Sequence, residues 1–336
     1  MAIIEVDGIT KIYRQYKRFP GLAGAVRSLF TRQYTEETAV HNIRFSIEEG
    51  EAVGYLGPNG AGKSTMIKMM TGILVPTEGA LRVMGNVPHL SRKTNARQLG
   101  VVFGQRSQLW WDLPVLDSFD LHRSIYKLGE RQYRDNVELC TELLGLADFL
   151  DKPVRQLSLG QRMRVEIAMS LLHEPRVLFL DEPTIGLDIV AKDHIREFLR
   201  TVNREKKVTI ILTTHDMKDI EAICPRILVV NKGNLVYDGT VASLRQTLGN
   251  EQQVTIDFRH DPGEVDVEGL TLIEDEGVRK TFLTSRGGTA VFELISRMAQ
   301  RYPVEDVSLE GADIDSVIRR LYQQLAEEDK RKTQIS

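Results

Sequence analysis

The sequence predicts an α/β protein built on a parallel sheet, with a second, smaller α+β region at its end. An apolar run at 52–56 leads through a Gly-rich turn into a helical run at 66–70. A continuous apolar run at 177–180 ends in Asp181 and Glu182. A β-rich run at 208–212 ends just before His215. Apolar strands that alternate with helical segments and end in polar residues are typical of parallel sheets.

The Gly-rich turn has the spacing G-x-x-x-x-G-K-S and consists of Gly57, Pro58, Asn59, Gly60, Ala61, Gly62, Lys63, Ser64 and Thr65. Glycines at this spacing let backbone N–H groups turn inward around phosphates, and the following helix adds a favourable dipole. Lys63 would reach the terminal phosphates, and the Ser64 hydroxyl would ligate Mg²⁺. A purely structural turn rarely carries both residues at these offsets. The pattern therefore predicts a site for a nucleoside triphosphate with Mg²⁺.

Composition narrows the class of protein. The 336 residues allow about two domains, and the net charge of −3 shows none of the basic excess of a nucleic-acid binder. No apolar run approaches the roughly 20 residues that span a bilayer, and the start of the sequence lacks a signal-peptide pattern. Two cysteines are too few for a disulfide framework or a metal cage. We expect a cytoplasmic chain without a nucleic-acid partner.

Periodicity and composition divide the chain. We expect a nucleotide-binding unit at 1–245, with a leucine-rich helical subdomain inserted at about 106–156. An α+β domain at 250–325 and a frayed charged tail at 326–336 follow. Residues 14–38 are basic and carry apolar residues at helical spacing, which predicts an amphipathic insertion. Such a helix lies either at a membrane or partner surface or against the protein's own core, and both alternatives remain open.

Three further residues complete an ordered series. Gln105 directly follows a predicted strand, and Ser158 is a suitable N-cap for the helix that begins in Leu-Ser-Leu-Gly-Gln. Asp188 lies in a turn after the acidic strand end. Together with the Gly-rich turn, the two acids and His215, this series resembles the ATP-binding subunit of an ABC transporter. The resemblance covers residues 1 to about 245 and implies the P-loop NTPase fold of an ABC cassette.

The resemblance implies an ATP hydrolase with assigned catalytic residues. By analogy, Asp181 would hold Mg²⁺, Glu182 would orient or deprotonate the attacking water, and His215 would hydrogen-bond the γ-phosphate. Gln105 would contact both Mg²⁺ and the water, while its loop senses the membrane partner. Tyr13 lies where the family places the aromatic residue that stacks on adenine.

The resemblance also implies a dimer, since each family member supplies its signature to the ATP of another subunit. Ser158, Gly160 and Gln161 match that signature, although Leu159 replaces its first glycine, which we expect to change geometry or rate. Asp188 would link the two sites. One cassette per chain therefore implies a homodimer or a pairing with a related ABC subunit.

The favoured function is to power transport, with a lean towards export, through separate membrane permease subunits at the inner face of the cell membrane. Trp110 and Trp111 lie where family members receive the membrane subunit, although packing within the helical subdomain would also explain them. A soluble ABC ATPase of a cofactor-assembly type is the alternative. A non-catalytic regulator is disfavoured because Lys63, Glu182 and His215 are all present.

Overall fold

Most strands of the central sheet are short and buried on both faces, as expected of a parallel sheet covered by helices. Its strand order is β5-β6-β7-β3-β8-β9, and β5, β6, β7, β3 and β8 pair in parallel. The strands are β3 (Ala52–Leu56), β5 (Leu99–Phe103), β6 (Val177–Asp181), β7 (Thr209–Thr213), β8 (Arg226–Asn231) and β9 (Asn234–Thr240). Because these strands are parallel, the carboxyl ends of β3, β5, β6 and β7 lie at the same edge of the sheet. These four strands lead to the predicted site residues.

The structure is a computed structural model, and it describes residues 2–16, 34–104, 107–248, 252–284, 289–311 and 314–335. The chain divides into two units, Met1–Asp238 and Gly239–Ser336. The second unit begins just before helix α8 (Val241–Leu248), which packs against the last helix of that unit and buries Leu244.

A second sheet in the first unit is antiparallel, with strand order β2-β1-β4. Its strands are β1 (Ala2–Tyr16), β2 (Tyr34–Glu48) and β4 (Glu78–Val83). The helical prediction for 14–38 is wrong at both ends, because Arg14 pairs with Glu36 and Tyr16 with Tyr34 as β1 and β2 extend into a long ribbon. The ribbon also carries an ion pair between Arg14 and Glu36 at 3.0 Å. The remainder of that segment lies outside the described residues.

Helix α1 (Lys63–Met70) begins at the Gly-rich turn and packs into the core shared by the two sheets. Met66, Ile67, Met69 and Met70 are all fully buried there. Burying four such side chains contributes on the order of 1.5 to 3 kcal/mol each before the cost of ordering them. The start of α1 is therefore fixed relative to the sheet.

The helical subdomain lies between β5 and β6 in the chain, as the sequence predicts. Two of its helices pack against α5, which runs back towards the sheet. The helices of the first unit are α2 (Arg92–Ala96), α3 (Val115–Tyr126), α4 (Glu130–Leu144), α5 (Leu159–Leu171), α6 (Ile189–Lys206) and α7 (Met217–Ile223), with 3₁₀ turns at Ala147–Phe149 and Val154–Gln156. Among the described residues, none of the chain's helices is both long and apolar enough to cross a bilayer.

The second unit contains a four-stranded antiparallel sheet of order β11-β12-β10-β13. Its elements are β10 (Gln252–Phe258), β11 (Thr271–Asp275), β12 (Arg279–Thr284), α9 (Thr289–Arg301), β13 (Val304–Gly311) and α10 (Ile314–Ile335). Helix α9 packs on the sheet through Val291, Leu294 and Met298. The tail predicted to fray at 326–336 instead continues helix α10 as far as Ile335.

Two buried histidines join α3 to the end of α5 and to strand β5. His122 Nε2 lies 3.2 Å from His173 Nδ1, and His173 Nε2 donates to the Leu99 carbonyl at 3.0 Å. The Tyr126 ring stacks on both imidazoles. Burial lowers the pKa of His122 to about 3, helped by His173, and lowers the pKa of His173 to about 4. Both rings are therefore neutral in the folded protein at neutral pH.

We expect the free energy of unfolding to fall as the pH drops from 6.5 towards 4. In that window the unfolded chain binds protons at both imidazoles and the folded chain does not. At pH 5.5 the loss is roughly 1.4 kcal/mol for each histidine. Urea titrations at pH 7.5 and 5.5 measure it, with the His122→Gln/His173→Gln double variant as control. An equal pH-dependent loss in that control would contradict the assignment.

Candidate active site

The carboxyl edge of the central sheet holds a cleft of about 520 Å³. Parallel strands bring their ends together there, which is where α/β sheets usually bind ligands. Six residues predicted from the sequence converge on it, joined by others that the sequence analysis did not single out. The lining residues are Asn59, Lys63, Ser64, Lys68, Ile73, Phe103, Gly104, Asp181, Glu182, Ile185 and His215.

The Gly-rich turn depends on backbone conformations and approaches that side chains would prevent. Gly60 and Gly62 have φ angles of 81° and 99°, in the left-handed region. A Cβ at Gly62 would lie 2.3 Å from the Ala39 carbonyl oxygen, whereas one at Gly60 would meet nothing within 4 Å. A Cβ at Gly57 would lie 2.5 Å from the Val230 carbonyl oxygen. The glycines at positions 57 and 62 therefore allow a backbone conformation of this turn that a residue with a Cβ would prevent.

Lys63 folds back over this loop. Its ammonium donates to the Gly57 carbonyl at 2.5 Å and to the Pro58 carbonyl at 3.3 Å. Burial lowers the pKa of the Lys63 ammonium, while Glu182 and Asp181 oppose that shift. A cation held at the mouth of a backbone N–H cradle suits the phosphates of a nucleotide.

Asp181 connects three elements at the sheet edge. Ser64 on α1 donates its hydroxyl to Asp181 Oδ2 at 3.2 Å, and Thr213 at the end of β7 donates to Oδ1 at 2.6 Å. Carboxylate and hydroxyl oxygens at this spacing are the hard ligands that Mg²⁺ prefers. The donor set therefore fits the predicted ion.

Glu182 adopts a left-handed backbone conformation, with φ of 55°. Its amide donates to the Thr213 carbonyl at 2.9 Å, which holds the residue at the strand end. The His215 amide donates to Glu182 Oε2 at 3.2 Å, and His215 Nε2 lies 3.2 Å from Oε1. Burial raises the pKa of the Glu182 carboxyl, and His215 opposes the rise. Strained backbone and a raised carboxyl pKa are both features of catalytic residues.

Tyr13 lies beside the end of the Gly-rich turn, with its hydroxyl 3.4 Å from Thr65 Oγ1. The Lys11 ammonium is 5.5 Å from the centroid of the Tyr13 ring. These contacts place Tyr13 beside the start of α1, and its stacking on adenine stays a prediction. Gln105, the remaining predicted residue of this group, lies outside the described residues.

The signature residues begin helix α5 with a complete capping box. Gln161 N–H donates to Ser158 Oγ at 3.2 Å, and Ser158 N–H donates to Gln161 Oε1 at 3.0 Å. A Cβ at Gly160 would lie 3.2 Å from the Ala191 Cβ, so this glycine also lets α5 approach α6. Asp188 caps α6 by accepting from the Ala191 amide at 2.8 Å.

Leu159, which replaces the expected glycine, packs against the turn before α6. A Cβ at Gly186 would lie 3.1 Å from Leu159 Cδ2, and Gly186 itself has a φ of 71°. The leucine therefore uses space left by another glycine within the same chain.

Two site residues were missed by sequence reasoning. Thr213 holds Asp181, and its only signal was its position at the end of a β-rich run. Gly104 donates its amide to the Asp181 carbonyl at 2.9 Å. A Cβ at Gly104 would lie 2.9 Å from the Glu182 carbonyl oxygen. Its role depends on the approach of β5 to β6, which sequence alone does not show.

Comparison with known proteins identifies the family of this chain. The model of the family described as "ABC transporter" matches residues 40–185. The chain is 32% identical over 213 residues to the ABC transporter ATP-binding protein NatA of Bacillus subtilis, covering 63% of this chain and 86% of NatA. The chain therefore belongs to the ABC transporter family of ATP-binding proteins, and it is an ATP hydrolase.

Other relatives differ in the transport that their names describe. The probable multidrug ABC transporter ATP-binding protein YbhF of Escherichia coli is 37% identical over 225 residues, which span 66% of this chain and 38% of YbhF. The methionine import ATP-binding protein MetN 2 of Enterococcus faecalis is 29% identical over 321 residues, 93% of this chain and 87% of MetN 2.

A solved structure supports the fold assignment. A dimeric ATP-binding cassette in a post-hydrolysis state, bound to ADP and Pi, superposes with a TM-score of 0.58 and 26% identity. The match covers 70% of this chain and 98% of that cassette. The P-loop fold predicted from the sequence is therefore confirmed.

The two turn glycines give a matched test of the cradle. Gly60→Ala should lower the free energy of unfolding by about 1 kcal/mol through backbone strain alone. Gly62→Ala adds a collision with the Ala39 carbonyl and should cost about 2 to 4 kcal/mol. Urea unfolding without nucleotide measures both values. Equal losses would show that the close approach at Gly62 does not constrain the loop.

Proposed function

We propose that this chain is the ATP-binding and hydrolysing subunit of a transporter, that it dimerises on ATP, and that it powers export through separate membrane permease subunits. The observation that carries the proposal is the convergence of Lys63, Ser64, Asp181, Glu182 and His215 on one cleft. Phosphoryl transfer requires mainly positioning and charge stabilisation, which this set supplies.

Binding of the nucleotide is assigned to the loop and its flanks. The backbone of Gly57–Thr65 holds the phosphates, Lys63 neutralises their terminal charge, and Tyr13 stacks on adenine. The proximity of Tyr13 to Thr65 supports this arrangement. Ser64, Asp181 and Gln105 would hold Mg²⁺, which would supply charge stabilisation at the phosphates.

Hydrolysis is assigned to the strand ends. Glu182 accepts a proton from the attacking water, and its raised pKa makes it a stronger base than an exposed carboxylate. His215 orients that carboxylate in this structure and hydrogen-bonds the γ-phosphate during turnover. Gln105 contacts the water and the ion.

Dimer formation is supported by apolar side chains exposed around the cleft. Ile185, Ile189 and Val190 are 56%, 76% and 65% exposed, and Leu159 beside the signature is 40% exposed. Ile185, Ile189 and Val190 lie within six residues of one another, and Leu159 is beside Gly186 of the same segment. An exposed apolar patch of this kind is typical of an interaction surface. We assign it to contact with a second copy or a related ABC subunit, where Ser158, Gly160 and Gln161 face the partner's ATP and Asp188 links the sites.

Contact with a permease is supported by a second exposed surface. Trp110 and Trp111 are each 53% exposed, and the Arg162 guanidinium lies 5.7 Å from the centroid of the Trp111 ring. Their turn is held rigid, because Arg155 donates its amide to the Trp111 carbonyl at 3.0 Å and its guanidinium to Asp112 at 2.7 Å. Rigidly displayed tryptophans are common interface anchors. We therefore place the chain at the inner face of the cell membrane, bound to permease subunits.

The direction of transport is proposed as export from the sequence, while the relatives include both a multidrug-type protein and a methionine import protein. The transported substrate is set by the permease rather than by this chain.

Glu182→Gln should retain ATP binding, lower kcat by roughly 10² to 10⁴ and accumulate as a dimer with ATP and Mg²⁺. The amide preserves shape and removes the base. Phosphate release and size-exclusion chromatography measure the two effects. Normal turnover in this variant would remove Glu182 from its assigned role.

Adding Ile189→Asp to the Glu182→Gln variant tests whether the exposed apolar patch forms the dimer interface. Ile189 is on the surface and outside the cleft lining, so the change should leave folding and ATP affinity intact. It should nevertheless prevent the ATP-dependent dimer of Glu182→Gln by placing a charge in the apolar patch. Dimerisation of the double variant at unchanged ATP concentration would place the interface elsewhere.

A further inference from the structure

Helix α7 carries a buried carboxylate that the site described above does not use. Asp219 is fully buried. Its Oδ2 accepts from the Thr184 hydroxyl and, at 3.2 Å, from the Thr214 hydroxyl. Its Oδ1 accepts from Arg196 Nε on α6 at 2.6 Å. One side chain therefore joins three separate segments of the chain.

The two threonines belong to the segments that carry the predicted catalytic pair. Thr184 follows Glu182 by two residues, and Thr214 directly precedes His215. Both threonines are buried, and their hydroxyls are bound to the same oxygen of Asp219. The side chains of the pair meet where His215 Nε2 lies 3.2 Å from Glu182 Oε1. The Asp219 contacts therefore fix the two stretches of backbone between which this side-chain contact forms.

Arg196 supplies the charge that compensates the burial of Asp219. Burying a carboxylate is costly unless hydrogen bonds and an opposite charge replace its hydration. The Arg196 side chain is 13% exposed, and its Nη2 also lies 3.3 Å from Asp216 Oδ2. That same oxygen accepts from the Lys192 ammonium at 2.6 Å. Helix α6 therefore holds the residue after His215 directly and the residue before it through Asp219.

The three contacts at position 219 require both oxygens of a carboxylate. An apolar residue would leave the Arg196 guanidinium and the two threonine hydroxyls without this acceptor. Asparagine has a single acceptor oxygen, so it could receive the hydroxyls or the guanidinium but not both. A hydrogen bond left unmade at a buried site is costly. Asp219 therefore determines how the segments around it are held.

We propose that Asp219 is a positioning residue for hydrolysis, which holds the two threonine-bearing segments together so that His215 stays in contact with Glu182. Asp219 is not one of the residues that line the cleft, and it acts through that contact. This inference rests on the roles given to Glu182 and His215 in the proposed function. Loss of Asp219 then slows the chemical step, while the Gly-rich turn continues to bind the nucleotide.

The test is a double-mutant cycle in steady-state ATP hydrolysis by the full chain, with Asp219→Asn and His215→Ala alone and combined. Asp219→Asn should lower kcat about tenfold while the KM for ATP changes less than about twofold. In the His215→Ala background, the same substitution should lower kcat by less than about twofold, because the contact through which Asp219 acts is already absent. Radiolabelled ATP extends the measurement to the slow variants.

Asp193→Asn is the matched control, because it makes the same change of carboxylate to amide beside the same guanidinium. Asp193 Oδ1 accepts from Arg196 Nη1 at 2.9 Å, but the Asp193 side chain is 64% exposed. The kcat of this variant should equal that of the unchanged protein. Thermal unfolding and ATP binding are recorded for every variant.

Thr184 provides a second pair of variants in case Asp219→Asn does not fold. Thr184→Val keeps the shape of the side chain and removes the hydroxyl, so it replaces Asp219→Asn in the cycle and should lower kcat about threefold or more. Thr184→Ser keeps the hydroxyl and should retain most of kcat. A role in packing alone predicts the opposite order, because serine loses the methyl group that valine retains.

The outcomes separate the positioning role from the proposed function. Losses in kcat that multiply across the cycle would show that Asp219 acts independently of His215 and would overturn the positioning role alone. A kcat of Asp219→Asn equal to that of Asp193→Asn, or a rise in KM without a change in kcat, would overturn it as well. An unchanged kcat in His215→Ala would remove the histidine from hydrolysis and overturn the role of Asp219 with it.

Discussion

The Asp181 carboxylate is the contact on which the arrangement of the site depends. It accepts from Ser64 at the start of α1 and from Thr213 at the end of β7, so it joins the phosphate loop to two neighbouring strands. Those hydrogen bonds require β6 and β7 to pair in register, with Asp181 opposite Thr213. With that register, Glu182 and His215 follow at the same edge of the sheet, while Lys63 reaches the cleft from the Gly-rich turn, whose shape depends on Gly57 and Gly62.

Helix α5 gives the chain a second level of organisation. Its capped N-terminus carries the signature against α6, while Glu166 in its middle accepts from Ser107 shortly before the two exposed tryptophans. These two contacts lie on one helix and are therefore fixed relative to each other. Under the proposed function, dimerisation on ATP and contact with a permease would bias the same conformational equilibrium, as coupling between sites requires.

The sequence predicted the elements whose signal is local. Continuous apolar runs identified β3, β6 and β7, and Ser158 with Gln161 identified the start of α5. The extension of β1 and β2 through Arg14 and Glu36 was missed, because helical spacing of apolar residues concealed strands stabilised by cross-strand pairing. Contacts between distant segments, such as Glu166 with Ser107 or Leu159 beside Gly186, depend on tertiary packing and leave no pattern in a single sequence.

The account is tested most directly by affinity purification of Glu182→Gln from detergent-solubilised membranes with ATP and Mg²⁺, followed by mass spectrometry. It predicts near-stoichiometric recovery of a multi-spanning membrane protein, and loss of that protein when Trp110 and Trp111 are both replaced by alanine. Recovery of soluble proteins alone, from a variant that still binds ATP, would contradict the transporter assignment and favour an assembly ATPase.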